Sequence, residues 1–337
     1  MKFGTFNLHA VRDGADPAAV VREHLEQAVA AERFGFEEIW LAEHNGRNYG
    51  MVGNVVIAAA AIAMATETIR LATAVTRLPL HNPTRLAEEL CYVDVLSGGR
   101  MDLGIGKGYD ALEFGTYGVP FAEREERWAE GYAAVTKILE TQDLEFKGEF
   151  WDIGEGRLLP GPVNGTLPVY LMVSRSHDSM RWAAERLLNV AIGSGPTQEE
   201  VVELLAVYRE AASAAGHSDA DVEATLANTW QLKQMYVAPT TEQAIEEFRD
   251  GLMWYFDALG NRAMFQFSAE KQPYEYFIRH PAVMVGSVDE VGEKLAAYRE
   301  ATGVQNLISW FNVGGQPHQQ VLDSLQLFGE SVMPGLA

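Results

Sequence analysis

Short apolar runs alternate with helical segments along the first third of the chain, at nearly constant intervals. Read as strands, the runs begin 35, 32 and 32 residues apart, at Lys2, Glu37, Ile69 and Met101. A polar cap residue followed by a first-turn proline marks two of the helix starts, at Asp16-Pro17 and Asn82-Pro83. This regular alternation predicts parallel βαβ units joined by right-handed crossovers.

The second half of the chain continues the alternation less evenly. One strand is predicted to run from about Thr225 to Val237, and the other three start near Pro168, Asn189 and Asn306. Residues 260–285 interrupt the rhythm with five aromatic residues and two prolines, which predicts an insertion or lid before the last strand.

The total of eight strands predicts an α/β fold of the (β/α)₈ TIM barrel type, with residues 1–337 forming one domain. The alternative is a doubly wound open sheet, which carries a glycine-rich nucleotide-binding turn after its first strand. The corresponding turn here is Asn7-Leu8-His9-Ala10-Val11 and has no glycine. The barrel is therefore the favoured architecture.

Composition limits the partners and the compartment. Lys and Arg number 26 against 47 Asp and Glu, so the net charge of −21 opposes binding to nucleic acid or to an anionic membrane. The single cysteine, Cys91, excludes an internal disulfide, and residues 1–30 lack a signal-peptide pattern. We expect a cytoplasmic protein, and no histidine or cysteine spacing predicts a metal site.

The stretch 98–118 places three glycines around one lysine at the end of the fourth predicted strand. Gly104, Gly106 and Gly108 allow close approach of a ligand to the backbone, and Lys107 supplies a positive charge. The stretch lacks the third glycine of the dinucleotide fingerprint and the Gly-Lys-Ser/Thr of a P-loop. It predicts an anion-binding loop of another kind.

The residues that follow the strands of a TIM barrel converge on one face, which carries the active site. In this chain those positions are unusually polar and aromatic: Asn7, His9, Glu43, His44, Asn45, Ala74, Val75, Thr76, Gly106, Lys107, Tyr109, Ser174, Arg175, Ser176, Gly193, Ser194, Asn228, Trp230, Gln231, Trp310 and Asn312. Lys107, Ser176 and Ser179, with helix N–H groups, would converge on a phosphate.

Each candidate also has a structural explanation. His9 and His44 are equally consistent with buried structural histidines, and Glu43 with an ion-paired acid. Cys91 lies among apolar residues of a predicted helix, where packing is the simpler role. The residues alone leave these alternatives open.

Five motifs, in order along the chain, resemble the bacterial luciferase-like flavin monooxygenases. They are the amino-terminal Met-Lys-Phe-Gly-Thr-Phe, Ile39-Trp40-Leu41-Ala42-Glu43-His44, Ser97-Gly98-Gly99-Arg100, Gly104-Ile105-Gly106-Lys107-Gly108-Tyr109 and Trp182-Ala183-Ala184. The similarity covers nearly the whole chain. It implies a (β/α)₈ barrel with an insertion before the last strand, which agrees with the strand count, and binding of reduced FMN or a deazaflavin, usually by a dimer.

The resemblance also implies residue roles. Glu43 and His44 would lie at the flavin ring, with His44 as the acid/base residue, and the Ala74–Val75 bond matches the family's non-proline cis peptide beneath the flavin. Lys107, Ser176 and Ser179 match the phosphate-binding positions, and Tyr109, Val173 and Ser174 match the flavin wall. From their predicted strand-end positions, Gly106 and Ser194 are assigned to the cofactor, and His9, Trp230 and Trp310 to the substrate.

Two positions depart from the family pattern. Lys107 stands where the family usually has arginine, so bidentate phosphate contact would be lost, and Asn45 stands where a second histidine is usual. The predicted function is a two-component monooxygenase that takes reduced FMN from a separate reductase and uses O₂ to oxygenate an apolar or aromatic organic substrate. A homodimer is expected. The alternatives are a deazaflavin-dependent oxidoreductase on the same barrel and a non-catalytic flavin-binding partner subunit.

Overall fold

The computed structural model describes residues 1–259 and 272–336. Its strands are β1 (Lys2–Asn7), β2 (Glu38–Leu41), β3 (Arg70–Thr73), β4 (Thr76–Arg77), β5 (Met101–Gly106), β6 (Phe146–Lys147), β7 (Asp152–Ile153), β8 (Val169–Val173), β9 (Asn189–Ile192), β10 (Trp230–Val237), β11 (Val283–Gly286) and β12 (Asn306–Trp310). Its α-helices are α1 (Pro17–Arg33), α2 (Val55–Ala65), α3 (Pro83–Ser97), α4 (Ala111–Thr116), α5 (Arg124–Thr141), α6 (His177–Ala184), α7 (Gln198–Ala214), α8 (Asp219–Leu226), α9 (Thr241–Leu259), α10 (Tyr274–Ile278), α11 (Val288–Thr302) and α12 (His318–Leu327).

Eight of these strands close into a parallel barrel. The order is β1, β2, β3, β5, β8, β9, β10 and β12, and the last pairs with the first, with Lys2 opposite Asn306. The predicted (β/α)₈ barrel is thus confirmed. The predicted caps are also present, because the side chains of Asp16 and Asn82 accept N–H bonds at the starts of α1 and α3.

The seventh barrel strand begins later than predicted. Thr225 belongs to α8, which Ser218 caps, and β10 begins only at Trp230. Thr225 and Leu226, the last residues of α8, lie only a few positions before β10, and so short a segment does not distinguish a helix end from a strand. The consequence concerns Trp230, which pairs with Asn306 at the amino-terminal end of the barrel, so its predicted place at the carboxyl end is wrong.

The predicted insertion or lid at 260–285 is described only in part. Residues 260–271 lie outside the described residues, and the remainder includes α10 and β11. One edge of β10 pairs with β9 at Trp230 and Gln231. From Gln234 onward, the same edge pairs with β11 instead. An additional strand therefore extends the barrel edge before the last strand.

Two apolar layers surround the barrel strands. Inside the barrel, Trp40 contacts Tyr170 and Trp230 at ring-centroid distances of 5.3 and 5.6 Å, near the amino-terminal end. Outside it, alternate strand residues such as Ile39 and Leu103 pack against the helices. Both faces of each strand are thus covered, as expected for a parallel sheet.

The Arg100 side chain ties two helices to the barrel. Its Nη1 and Nη2 donate to the carbonyl oxygens of Ile69, Ala63 and Thr66, at 2.7 to 3.0 Å, and its Nε donates to that of Ser97 at 2.7 Å. These acceptors include carbonyls at the carboxyl ends of α2 and α3, which a helix leaves unpaired. The Ser-Gly-Gly-Arg motif is therefore a helix-end brace.

None of the helices in the described ranges is long and apolar enough to cross a membrane.

Candidate active site

The carboxyl ends of the barrel strands place most of the predicted site residues on one face. His44 follows β2, Ala74 and Val75 follow β3, Lys107 and Tyr109 follow β5, and Ser174 and Ser176 follow β8. Because β5 pairs with both β3 and β8, the last three groups lie side by side. Strand geometry therefore assembles residues that are about a hundred positions apart in sequence.

His44 forms a hydrogen-bonded pair with a glutamate from α4. Its Nδ1 lies 2.8 Å from Glu113 Oε1 and 3.3 Å from the Tyr49 hydroxyl, and its side chain is 13% exposed. A carboxylate can only accept, so Nδ1 carries a proton. Since the hydrogen bonds described for this ring involve Nδ1, Nε2 is the nitrogen available to a ligand.

The Glu113 carboxylate continues into a buried ionic cluster. Its Oε2 accepts from Arg77 Nη1 at 2.7 Å, and Arg77 Nε donates to Glu43 Oε1 at 3.0 Å. Glu43 also contacts His81 Nε2 at 2.9 Å. Arg77 and both glutamates are at least 97% buried at their side chains, so these charges have little water to solvate them. We call these five residues the histidine-ended cluster.

Charge pairing sets the protonation of the two glutamates. Burial alone would raise the pKa of Glu43, but the hydrogen bond and charge of His81, and then Arg77, outweigh it and lower that pKa. Burial alone would likewise raise the pKa of Glu113, but the hydrogen bond and charge of His44, and then Arg77, outweigh it and lower that pKa. Both carboxyls are therefore ionised at neutral pH.

A chain of aromatic rings leads from His44 across the same face. The His44 ring lies 4.8 Å from that of Tyr49 and 6.0 Å from that of Tyr109. Tyr49 contacts Tyr255 at 6.5 Å, and Tyr255 contacts Trp310 at 4.7 Å. Burial raises the pKa of Tyr109 well above its usual value, so its hydroxyl stays neutral. The face beside His44 is consequently apolar with a few neutral hydroxyls.

The Ala74–Val75 peptide bond is cis, as the resemblance implied. It lies directly beneath β5, where a Cβ on Gly106 would stand 2.5 Å from Val75 Cγ2, and one on Gly104 would stand 1.8 Å from the Thr73 carbonyl oxygen. The glycines of the 98–118 stretch therefore allow two strands to approach closely. That packing role is distinct from the phosphate contact expected of the loop that follows.

The predicted phosphate residues form a polar edge. Ser176 caps α6, its Oγ accepting from the Ser179 N–H at 3.1 Å. Ser174 is exposed and Ser194, which follows β9, is partly buried. Lys107 Nζ lies 2.6 Å from Glu125 Oε2, so the lysine is ion-paired. A cation, two serine side chains and the start of an eight-residue helix together suit a phosphate group.

The three residues assigned to substrate do not all lie at the same end of the barrel. Trp310 ends β12 at the carboxyl face, where it contacts Phe6 at 5.1 Å. His9 is 5% exposed and stacks on His24 at 4.0 Å, and burial lowers its pKa to about 4. Trp230 lies at the opposite end of the barrel, for the reason given above. Trp310 is itself 2% exposed, but its contact with Tyr255 links it through Tyr49 to the face that carries His44.

Arg77, Glu113, His81 and Tyr49 were not predicted from the sequence. Arg77 directly follows Thr76 beyond the third strand, so its position was an available signal. Glu113 lies 69 residues from its partner His44, and no local pattern links the two. In the described ranges, no group of three or more His, Cys, Asp or Glu side chains could hold a metal ion.

Comparison with known proteins identifies the class. Residues 1–305 match the family model of luciferase-like monooxygenases, so the chain belongs to that family, and the predicted membership is confirmed. The oxygenase component of the flavin-dependent trigonelline monooxygenase of Acinetobacter baylyi is 26% identical, over 100% of this chain and 96% of the relative.

Two solved structures share the fold over their full lengths. Monooxygenase RslO1 from Streptomyces bottropensis superposes with a TM-score of 0.89 at 25% identity and covers 100% of each chain. The oxygenating constituent of 3,6-diketocamphane monooxygenase from Pseudomonas putida, solved in complex with FMN, gives a TM-score of 0.84 at 22% identity and covers 100% of this chain and 99% of its own. The chain is accordingly a monooxygenase-family TIM barrel.

Proposed function

We propose that this protein is the oxygenase component of a two-component monooxygenase, which receives reduced FMN from a separate reductase and oxygenates an apolar or aromatic organic substrate with O₂. The observation that carries the proposal is the His44–Glu113 pair beside the aromatic chain from Tyr109 to Trp310. A proton donor or acceptor is thereby placed against an apolar surface.

His44 is the proposed acid/base residue. Glu113 fixes the ring orientation and holds the Nδ1 proton, so Nε2 can give or take a proton at the reacting ligand. Bound reduced flavin would supply the electrons that activate O₂, and the surrounding rings would exclude water. The protein thus contributes orientation, proton transfer and a dry surface.

In this proposal Glu43 acts through other residues and does not contact the ligand itself. Its Oε1 and Oε2 are engaged by Arg77 and His81, so its carboxylate is not directed to a ligand. It holds Arg77 against Glu113, and Glu113 in turn holds His44. Glu43 is therefore a positioning residue, although the resemblance placed it at the flavin ring.

The cofactor would lie across the ends of β3, β5 and β8. Lys107, Ser176 and Ser179 would hold the phosphate, and the ring and side chain of the flavin would lie against Ala74, Val75, Gly106, Tyr109, Val173, Ser174 and Ser194. Val173 is buried and Val75 partly buried, which suits an apolar, planar ligand. Trp310 and, more remotely, His9 would bound the substrate.

A separate reductase is proposed because the trigonelline relative is named an oxygenase component. We also propose that the protein is cytoplasmic and that residues 1–337 form one domain. Cys91 is a free, buried thiol whose pKa burial raises to about 12, so it is unreactive in any compartment.

A homodimer is proposed from an exposed apolar face on α2 and α3. Ile57 and Met64 on α2 are each 70% exposed, and Tyr92 and Val95 on the neighbouring α3 are 60% and 48% exposed. Contiguous large apolar side chains of this kind typically mark a protein–protein contact. Sedimentation of Ile57→Lys beside the wild type tests this, because the charge should shift the mass toward one chain.

The experiment that tests the function combines binding and turnover. Reduced FMN and a reduced deazaflavin are titrated anaerobically while tryptophan fluorescence is followed, and O₂ is then admitted with candidate apolar substrates. We expect FMN to quench the fluorescence more strongly and oxygenated product to appear. His44→Ala should lower product formation by about 100-fold or more, whereas His217→Ala, at a partly exposed histidine bonded to the Glu185 carbonyl oxygen, should not.

Other results would contradict the proposal. Preferential binding of the deazaflavin would favour the oxidoreductase alternative, and flavin binding without turnover with any reductase would favour a non-catalytic partner subunit. Unchanged oxygenation in His44→Ala would remove the role assigned to that histidine.

A further inference from the structure

The cation expected to bind phosphate already has an anionic partner from another element. Glu125, the second residue of α5, places Oε2 2.6 Å from Lys107 Nζ and Oε1 3.4 Å from Arg124 Nη2. Lys107 also lies 4.9 Å above the Trp128 ring, which restricts where its ammonium can move. A carboxylate thus stands between two cations at the end of β5.

We propose that Glu125 is an internal competitor for the cofactor phosphate, occupying the Lys107 site until phosphate displaces it. This inference rests on the proposed function. Carboxylate and phosphate oxygens both accept charge-assisted bonds from an ammonium, so only one of them can satisfy Lys107 fully. The affinity for FMN then depends on how much stronger the contact of Lys107 with phosphate is than its ion pair with Glu125.

The geometry permits the exchange. Glu125 is 49% exposed and Lys107 is 31% exposed, so their ion pair is weak and solvent can take over the displaced carboxylate. Lys107 stays in place because its ammonium group lies over the Trp128 ring. Displacement therefore needs only a rotation of the Glu125 side chain.

A role limited to helix stability would predict something different. Acidic residues in the first turn favour a helix, and α5 has two of them, Glu125 and Glu126. Both carry one negative charge at the same helix end, but only Glu125 contacts Lys107. Glu126 is therefore a matched control for charge and helix position.

The functional consequence concerns cofactor exchange. A protein that receives its flavin from another protein benefits from a site that binds only moderately and releases readily. The competitor affects ligands that carry phosphate and leaves those without it unaffected, because only phosphate displaces Glu125. It weakens FMN binding and so narrows the difference in affinity between FMN and riboflavin.

The test measures dissociation constants for oxidised FMN and riboflavin by tryptophan quenching, using Glu125→Gln, Glu126→Gln and the wild type. Glu125→Gln should tighten FMN binding about three- to tenfold and leave riboflavin within about twofold. Glu126→Gln should leave both within about twofold. In Lys107→Met the added Glu125→Gln change should give no gain, because the competitor acts through the lysine.

The outcomes separate the two proposals. Wild-type preference for FMN over riboflavin with no change in Glu125→Gln, or with equal changes in Glu125→Gln and Glu126→Gln, overturns the competitor and leaves the flavin site standing. Weaker FMN binding in Glu125→Gln also overturns it, because Glu125 then helps to hold the phosphate. Absence of any FMN preference in the wild type and in all variants overturns both.

Discussion

The two ends of the barrel each hold two buried carboxyls beside one arginine, and they differ in how the surplus negative charge is neutralised. At the carboxyl end, Glu43 and Glu113 share Arg77 and also contact His81 and His44. At the amino end, Glu38 and Asp102 lie near Arg70, which pairs with Asp102 at 2.8 Å. None of the described residues that line the amino-end site is a histidine.

That absence changes the protonation of the amino-end pair. Burial first, and then the neighbouring Asp102, raise the pKa of Glu38 well above its usual value, so Glu38 is protonated. Its Oε1 is buried without a hydrogen-bond partner among the described residues, beside a cavity of about 180 Å³ lined in part by Tyr170 and Trp230. At the amino end, the surplus negative charge is therefore removed by protonation of the Glu38 carboxyl.

The comparison shows what the histidines add. At the carboxyl end the glutamates stay ionised, and each contacts an imidazole, that of His44 lying beside the proposed ligand face. At the amino end the proton resides inside the scaffold, away from the strand ends that carry the site. Similar charge counts therefore give ionised carboxylates beside the proposed acid/base histidine at one end, and a pair containing a carboxyl with a raised pKa at the other.

Removing the central arginine should have the largest effect. Arg77→Gln leaves two ionised, buried carboxylates without their cation, so the free energy of unfolding should fall by about 3–5 kcal/mol. Arg70→Gln should cost less than half as much, because the Arg70 side chain is 38% exposed and Glu38 is already neutral. Urea unfolding at pH 7 measures both, and equal losses would mean that the two ends are equivalent.

The next effect concerns catalysis. Glu113→Gln removes the charge opposite His44 while keeping the side-chain shape, so kcat for oxygenation should fall about 10- to 100-fold. The dissociation constant for FMN should change by less than about threefold, since the hydrogen bonds described for the Glu113 carboxylate go to His44, Asn45 and Arg77 and to none of the proposed flavin contacts. A parallel loss of flavin binding would indicate a disturbed fold instead. Glu113→Asp should recover part of kcat.

A pH series should distinguish the two carboxyl pairs by sign. The folded pKa of Glu38 is raised, so its contribution to stability is complete below pH about 4.3 and is lost as pH rises through the folded pKa. Glu38→Gln should therefore gain about 1 kcal/mol or more relative to wild type between pH 4 and pH 8.

Glu113 behaves in the opposite way. Its folded pKa is lowered, so its contribution is present above pH about 4.3 and is lost as pH falls through the folded pKa. Glu113→Gln should accordingly lose stability relative to wild type as pH rises. Urea unfolding across the pH range measures both variants, and curves parallel to wild type would contradict the assigned protonation states.

The smallest catalytic effect is expected at Trp230. Trp230→Phe should leave kcat/KM within about twofold, because the residue lies at the amino end, although the lost packing should cost about 1–2 kcal/mol of stability. Trp310→Phe, at the carboxyl end, should raise KM for the substrate several-fold. The pair is compared by steady-state kinetics and thermal unfolding. Equal kinetic effects would mean that the two ends are not functionally separate.

The sequence predicted the barrel because apolar runs and capped helices repeat at a regular interval. It placed Trp230 at the wrong end because the pattern does not separate Thr225 and Leu226, which end α8, from the start of β10. The positions of His44 and Lys107 at strand ends were accessible, but their partners Glu113 and Glu125 were not. Those pairings depend on tertiary contacts, which no local periodicity encodes.

Arg100 has a consequence beyond the helix ends that it braces. Its bonds to Ala63, Thr66 and Ser97 fix the carboxyl ends of α2 and α3 relative to each other. The outer faces of those helices carry Ile57, Met64 and Tyr92. A surface fixed in this way would lose little conformational entropy if a second chain docked there, so a motif remote from the chemistry would favour the proposed dimer through preorganisation.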